Sequence, residues 1–174
     1  IINVSASPFY MGKRDIKWEM LGEIARKYRV PLVYVNQVGG NDSVLFDGLS
    51  VAFDGTGQLV SRARDFQEDM VFFDTEKPEE NLHPISESDV ESLLNALLMG
   101  TRDYTRKCGF KKVLVGLSGG IDSALTVSVA AQALGKENVL GVFMPSQYTS
   151  AVNFEDSSDL ARNLGIELIQ IPIK

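Results

Sequence analysis

Cysteine is nearly absent from the 174 residues: Cys108 stands alone, so no internal disulfide can form, which suits a reducing compartment. Histidine is equally scarce, and the single His83 has no metal-ligand partner set around it, so it is given no role. No apolar run is long enough to span a bilayer, and the opening residues IINVSASPF show neither a basic n-region nor a signal-type apolar stretch. They read instead as a core strand entered part-way. Positive charge is in deficit, 17 Lys and Arg against 23 Asp and Glu, and the net charge of −6 argues against general nucleic-acid binding. What remains, 44% hydrophobic and 23% charged, is the composition of a soluble globular protein, expected in the cytoplasm.

The stretch that organises the chain is Val113 to Leu134, VLVGLSGGIDSALTVSVAAQAL. Val113 to Leu117 is too short for a helix and β-branched enough for a buried strand, and Ser123 to Leu134 predicts a helix. Between them, Ser118-Gly119-Gly120-Ile121-Asp122-Ser123 carries two glycines that permit positive φ and leave N–H groups uncovered at the mouth of the helix, where an anion would sit. A lysine is missing here too: a Walker A loop ends in Gly-Lys-Ser/Thr, and this one has Asp122 before Ser123. The order Ser-Gly-Gly-x-Asp-Ser after a strand resembles the pyrophosphate loop of N-type ATP pyrophosphatases, which split ATP between its α- and β-phosphates. N–H groups and the Ser118 and Ser123 hydroxyls suit a pyrophosphate leaving group. Asp122 beside phosphates would repel them unless a cation lay between, so Mg²⁺ is expected there. The competing reading is a Gly-Gly turn with Asp122 or Ser118 merely capping a helix.

In chain order, Ile1 to Ala6 predicts a buried strand ended by Ser5-Ala6-Ser7-Pro8. Lys13 to Tyr28 predicts an amphipathic helix with Ile16, Met20, Leu21, Ile24, Ala25 and Tyr28 on its apolar face. Leu32 to Val38 is a strand broken at Gly39-Gly40-Asn41-Asp42, which is given a structural role. Leu49 to Phe53, Leu59 to Ala63 and Met70 to Asp74 follow as strands, with Asp54-Gly55-Thr56-Gly57 as a hairpin turn. Thr75 to Pro84 reads as a linker. Ser88-Asp89-Val90-Glu91 is a capping box, followed by a helix whose face is Val90, Leu93, Leu94, Leu97, Leu98, Thr101 and Tyr104 and which stops at Gly109. Val139 to Met144, Glu155 to Leu164 and Ile166 to Ile171 complete a strand-helix-strand alternation, which predicts a parallel, doubly wound sheet.

Beyond the loop, Met144-Pro145-Ser146-Gln147-Tyr148-Thr149-Ser150, with Asp156, Asp159, Leu160, Ala161, Leu164 and Gly165, looks like the segment after the first crossover of NAD⁺ synthetases. Asn3 to Phe9 (NVSASPF), Tyr34 to Asp42 (YVNQVGGND) and Phe46-Asp47-Gly48 with Ser50 resemble the C-terminal part of a nitrilase-like glutaminase. Taken in order, these stretches resemble the glutamine-dependent NAD⁺ synthetase family. That resemblance implies an α/β chain in two parts: residues 1–82 as the end of a nitrilase-like αββα sandwich, and 83–174 as the start of a doubly wound domain of the adenine nucleotide alpha hydrolase type. An internal fragment of a larger enzyme is the expectation.

The chemistry implied is amidation of deamido-NAD⁺ to NAD⁺: ATP adenylates the nicotinate carboxylate, pyrophosphate leaves, and ammonia from glutamine displaces AMP. ATP and Mg²⁺ would meet the loop formed by Gly116, Leu117, Ser118, Gly119, Gly120, Ile121, Asp122 and Ser123, with Asp122 on the metal. In the family a serine of the Ser-Ala-Ser-Pro turn and a basic residue six places on hold glutamine, positions that fall on Ser7 and Lys13. Turn statistics alone would make these a turn serine and a solvated lysine. The family's glutaminase cysteine, glutamate and lysine would lie upstream of Ile1, since Cys108 falls outside the nitrilase-like part and lacks the base a nucleophile needs. The expected partners are small molecules and copies of the same chain. Another pyrophosphate-loop amidotransferase and a nucleotide-binding module without turnover remain open alternatives.

Overall fold

The computed structural model describes residues 1–173. The chain divides into two compact units, residues 1–100 and Thr101 onward. In the first, β1 (Ile2–Ser5) crosses over through α1 (Lys13–Tyr28) to the parallel strand β2 (Leu32–Asn36). A separate hairpin, β3 (Val38–Asn41) and β4 (Val44–Asp47), follows, and then β5 (Val51–Phe53) and β6 (Leu59–Arg62) extend the main sheet antiparallel. A short strand β7 (Asn81–Leu82) closes it in the order β1-β2-β5-β6-β7. The turn between β5 and β6 is held by Asp54, whose Oδ1 accepts the N–H groups of Thr56 and Gln58, both at 2.9 Å. Burial, the largest single influence, would raise the Asp54 carboxyl, but these bonds and the one from the Thr56 hydroxyl together outweigh it and leave the carboxyl below its usual range.

The core of this unit lies between α1 and the sheet, where Leu21, Ala25, Leu32, Tyr34, Val51 and Phe53 are buried. Several expected contacts differ. Strand β1 is an edge strand, and Ile2 and Val4 are 79% and 78% exposed on the face away from α1. On α1 the buried residues are Lys17, Leu21, Gly22 and Ala25, and Ile16, Met20 and Tyr28 face outward. Gly39, Gly40 and Asn41 do not break the chain but form β3, since the turn is made by Asp42 and Ser43. Residues 70–74 form no strand, and Met70 and Phe72 are exposed. The linker expected over Thr75 to Pro84 contains β7, which pairs with β6 and is fastened by Arg62 Nε donating to His83 O at 2.9 Å. His83 Nδ1 in turn meets Asp69 Oδ2 at 2.6 Å.

Helix α2 (Asp89–Lys107) spans the division between the units. Its capping box forms: Ser88 Oγ accepts the Glu91 N–H at 3.2 Å, and the Glu91 carboxylate reaches back to the Glu87 N–H at 2.7 Å. The face it buries in the first unit is Ala96 and Met99, packed with Phe66, Phe9, Val38 and Leu45. The larger stripe of Val90, Leu93, Leu94, Leu97 and Tyr104 is exposed instead. Gly109 ends the helix at φ 76, with the Phe110 N–H returning to Thr105 O.

In the second unit β8 (Val113–Leu117), α3 (Ile121–Leu134), β9 (Val139–Phe143), α4 (Ala151–Leu164) and β10 (Glu167–Gln170) build a parallel sheet in the order β10-β9-β8. Both crossovers step the same way, so right-handed connections bring α3 and α4 to one face, the arrangement of one half of a doubly wound sheet. Leu117, Val127, Ala130, Val139, Ala161 and Ile166 form that core. On the opposite face Leu114 is 70% exposed, so β8 is buried on one side only rather than both.

Candidate functional site

The phosphate-loop candidate grows out of β8. Leu117 anchors the strand end in the core, the chain turns at Gly119 with φ 78, and α3 starts at Ile121 from Gly120. The first intrahelical bond runs from Ala124 N–H to Gly120 O, so the N–H groups of Ile121, Asp122 and Ser123 have no partner within the helix and point outward from its positive end. The two serines lock the turn: their hydroxyls lie 3.1 Å apart, Ser118 Oγ accepts the Gly120 N–H at 3.3 Å, and Ser123 Oγ donates to Gly120 O at 2.9 Å. Gly120 stands at the N-cap with no side chain to offer, and Ser118 Oγ accepts the Gly120 N–H and not one from the first turn of α3. Asp122 is exposed, and its carboxylate has no protein partner among the described residues.

Gly116 to Ser123 are therefore contiguous in space as in sequence, and a neighbour that sequence reasoning missed completes the cradle. A Cβ on Gly119 would lie 2.7 Å from Asn153 Cα, in the first turn of α4. The segment after β9 supports that approach. Thr149 Oγ1 accepts the Ser146 N–H at 2.8 Å, and Ser150 caps α4 by accepting the Val152 N–H. A single carboxylate at the loop fits Mg²⁺, which characteristically takes one or two protein carboxylates and fills its octahedron with phosphate oxygens and water. No cluster of three His, Cys, Asp or Glu suited to an all-protein metal site occurs among the described residues.

The second site lies where β1 ends. Gly12 adopts φ 83 and swings α1 back over the Ser-Ala-Ser-Pro turn, so that Lys13 Nζ donates to Ser7 Oγ at 2.6 Å and to Pro8 O at 2.8 Å. Beneath this pair lies a buried polar group to which the sequence reading gives no site role: Lys17, Asn36 and Asp47, each less than a tenth exposed. Asn36 bonds to Ser7 and Asp47, and Lys17 Nζ stands 3.9 Å from Asp47 Oδ2 and 4.8 Å from the centre of the Tyr34 ring. Burial raises the Asp47 carboxyl and lowers the Lys17 ammonium, the reverse of what their attraction alone would do, so desolvation outweighs pairing here. Tyr34 is also buried, with Ser7 and Ser5 as its polar neighbours, and its Oη has no partner at hydrogen-bond geometry among the described residues. No sequence signal marks Lys17, since it interrupts an apolar period rather than extending one.

A family profile, NAD synthase, matches residues 93–174. Along 99% of its length the chain is 45% identical to a protein of Synechocystis described as glutamine-dependent NAD(+) synthetase, of which it covers 32%. A relative of the same description from Thermotoga maritima is 38% identical over 99% of the chain and 36% of its own length. The solved structure of glutamine-dependent NAD⁺ synthetase from Acinetobacter baumannii in complex with ADP superposes at a TM-score of 0.92 with 36% identity, covering 99% of this chain and 34% of that one. The chain is thus similar along nearly its whole length to glutamine-dependent NAD⁺ synthetases, and its second part matches the NAD synthase profile. It spans about a third of the length of the curated relatives it matches.

The lone thiol is proposed to take no part in the chemistry. Cys108 is exposed at the end of α2, with no base paired to it. Cys108→Ser is expected to leave glutamine-dependent synthesis within about twofold of the parent rate, as surface substitutions away from a site do. Loss of glutaminase activity in a coupled glutamate assay would show that the thiol takes part in the reaction.

Proposed function

We propose that the protein carrying this chain converts deamido-NAD⁺ to NAD⁺, adenylating the nicotinate carboxylate with ATP, releasing pyrophosphate and AMP, and drawing ammonia from glutamine. The observation that carries this reading is the loop after β8: three helix N–H groups without intrahelical partners, two locked serine hydroxyls and a carboxylate in place of a P-loop lysine. The N–H groups of Ile121, Asp122 and Ser123 would receive the β- and γ-phosphates as they separate, acting where negative charge accumulates on the leaving group. The Ser123 hydroxyl, which donates to Gly120 O, would hold the loop in shape, and the Ser118 hydroxyl would offer a further donor. Asp122 would hold Mg²⁺, which supplies charge neutralisation on the phosphate oxygens. The ADP complex of the Acinetobacter baumannii relative supports an adenine nucleotide as ligand.

In this reading residues 1–82 belong to the glutaminase part and 83–174 to the synthetase part. Ser7 and Lys13 would hold the charged end groups of glutamine, because a hydroxyl and an ammonium pair well with them. The work is expected to be cytoplasmic, in a homo-oligomer acting on small molecules, without nucleic acid or membrane; no helix among the described residues is long and apolar enough to cross a bilayer. Pyrophosphate release measured with ATP and Mg²⁺ tests the proposal. Release is expected only when deamido-NAD⁺ is added, with AMP in equal amount. Release without it, or none with it, overturns the assignment.

A further inference from the structure

The sheet that carries Ser7 stops two residues short of it. Strands β1 and β2 pair in parallel from Ile2–Val33 to Ser5–Asn36, and the last ladder bond runs from Gln37 N–H to Ser5 O. Pro8 has no N–H to continue the pairing, so Ser7 would hang free at the strand end. The Asn36 side chain takes over. Its Oδ1 accepts the Ser7 N–H at 2.8 Å and its Nδ2 donates to Ser7 O at 3.2 Å, so one carboxamide satisfies both backbone groups of Ser7 as a neighbouring strand would. The second Nδ2 hydrogen goes to Asp47 Oδ1 at 2.8 Å, and Asn36's own N–H is taken by Ser50 Oγ at 3.0 Å. Both Nδ2 hydrogens and the Oδ1 are engaged, and the residue is only 8% exposed, so its rotamer is fixed from both sides.

We infer that Asn36 is the positioning residue of the glutamine rim, holding the Ser7 backbone so that Ser7 Oγ and Lys13 Nζ meet at 2.6 Å; the inference rests on the assignment of Ser7 and Lys13 to glutamine. Asp47 is its support, oriented by Lys17 at 3.9 Å. The buried Tyr34 Oη lies in the same corner beside Ser7 and Ser5, without a hydrogen-bond partner at bonding geometry among the described residues. Asn36 touches no substrate in this scheme. Its effect passes through Ser7, and that is what distinguishes it from a residue that only stabilises the sheet.

The test is a double-mutant cycle in the enzyme carrying this chain, with NAD⁺ formation followed from glutamine and from added ammonia. Asn36→Ala is expected to raise the glutamine KM about tenfold, the loss that follows when one or two hydrogen bonds stop placing a binding group, and to affect ammonia-dependent synthesis far less. In a Ser7→Ala background the same change should add less than about twofold, because the group it places is gone. Full additivity of the two substitutions, or equal losses with glutamine and ammonia, overturns the inference and returns Asn36 to the fold. Lys13→Ala separates this from the underlying assignment: if it raises the glutamine KM while Asn36→Ala does not, the rim stands and the positioning role falls; if Lys13→Ala leaves KM unchanged, both fall. Should Asn36→Ala prove insoluble, Asn36→Asp, which keeps the acceptor for the Ser7 N–H, goes through the same cycle with the same criteria.

Discussion

Gly119→Ala is expected to reduce deamido-NAD⁺-dependent pyrophosphate release by about a hundredfold or more while the protein stays folded. Two costs coincide at this residue. Its φ of 78 is a conformation that costs an alanine about 1–2 kcal/mol, and the added Cβ would stand 2.7 Å from Asn153 Cα and 3.0 Å from Asn153 O. The obstacle is backbone in the first turn of α4, not the end of a flexible side chain. Either the loop or the helix must move, and a displacement near 1 Å at a reacting group is worth roughly a hundredfold in rate. Gly120 supplies the comparison, since its φ of −91 is ordinary and its added Cβ would meet Ser118 Oγ at 3.4 Å. Gly120→Ala should lose much less. Far-UV circular dichroism and pyrophosphate release on both variants decide the matter, and a Gly119→Ala enzyme at near-parental rate would show that the turn is not tied to the chemistry.

That clash could not be read from the sequence, whereas the loop itself could. Ser118 to Ser123 are consecutive, so their chemistry depends only on a strand before and a helix after, and both signals are local. Asn153 reaches Gly119 only because β9 lies beside β8 and Ser150 starts α4 at the level of the loop, a fact of strand order. The same division holds at the other site. Ser7 and Lys13 lie six residues apart and one turn brings them together, but Asn36 is 29 residues from Ser7 and its role requires the β1–β2 register.

Helix faces show a different limit. In α2 the residues of greatest hydrophobicity, Leu93, Leu94 and Leu97, are exposed, and Ala96 and Met99 are buried. Close approach is local to one position beside that contact: a Cβ on Gly100 would be 2.9 Å from the Leu45 side chain. Hydropathy periodicity names the stripe of Leu93, Leu94 and Leu97, whereas the contact made within this chain is through Ala96 and Met99. In α1 the buried Lys17 is missed for a related reason, since its place inside depends on Asp47, thirty residues away and on a hairpin whose strand β3 is made of the glycines that read as a break.

The carboxylate of Asp122 carries the other large expectation. Asp122→Asn should lower adenylation, followed as pyrophosphate release, by about a hundredfold to a thousandfold, the scale on which a positioned electrostatic contact to a leaving group acts. Stability should hardly change. The side chain is exposed and has no protein partner among the described residues, so its charge contributes at most the favourable interaction of an acid in the first turn of α3, roughly 0.3–1 kcal/mol. An exposed, unpaired carboxylate at the mouth of an anion cradle lowers the local positive potential, which would weaken phosphate binding if nothing bridged the two. The sign of the effect therefore separates two roles. If Asp122 serves only the helix dipole, removing its charge should tighten ATP binding and leave the rate intact or raised. If it holds Mg²⁺ against the phosphates, the neutral amide should slow release and shift its dependence to higher Mg²⁺ concentration. Initial rates of pyrophosphate release across a Mg²⁺ series, parent against variant, distinguish these outcomes, and a variant whose rate and Mg²⁺ midpoint both match the parent would remove the metal from this residue.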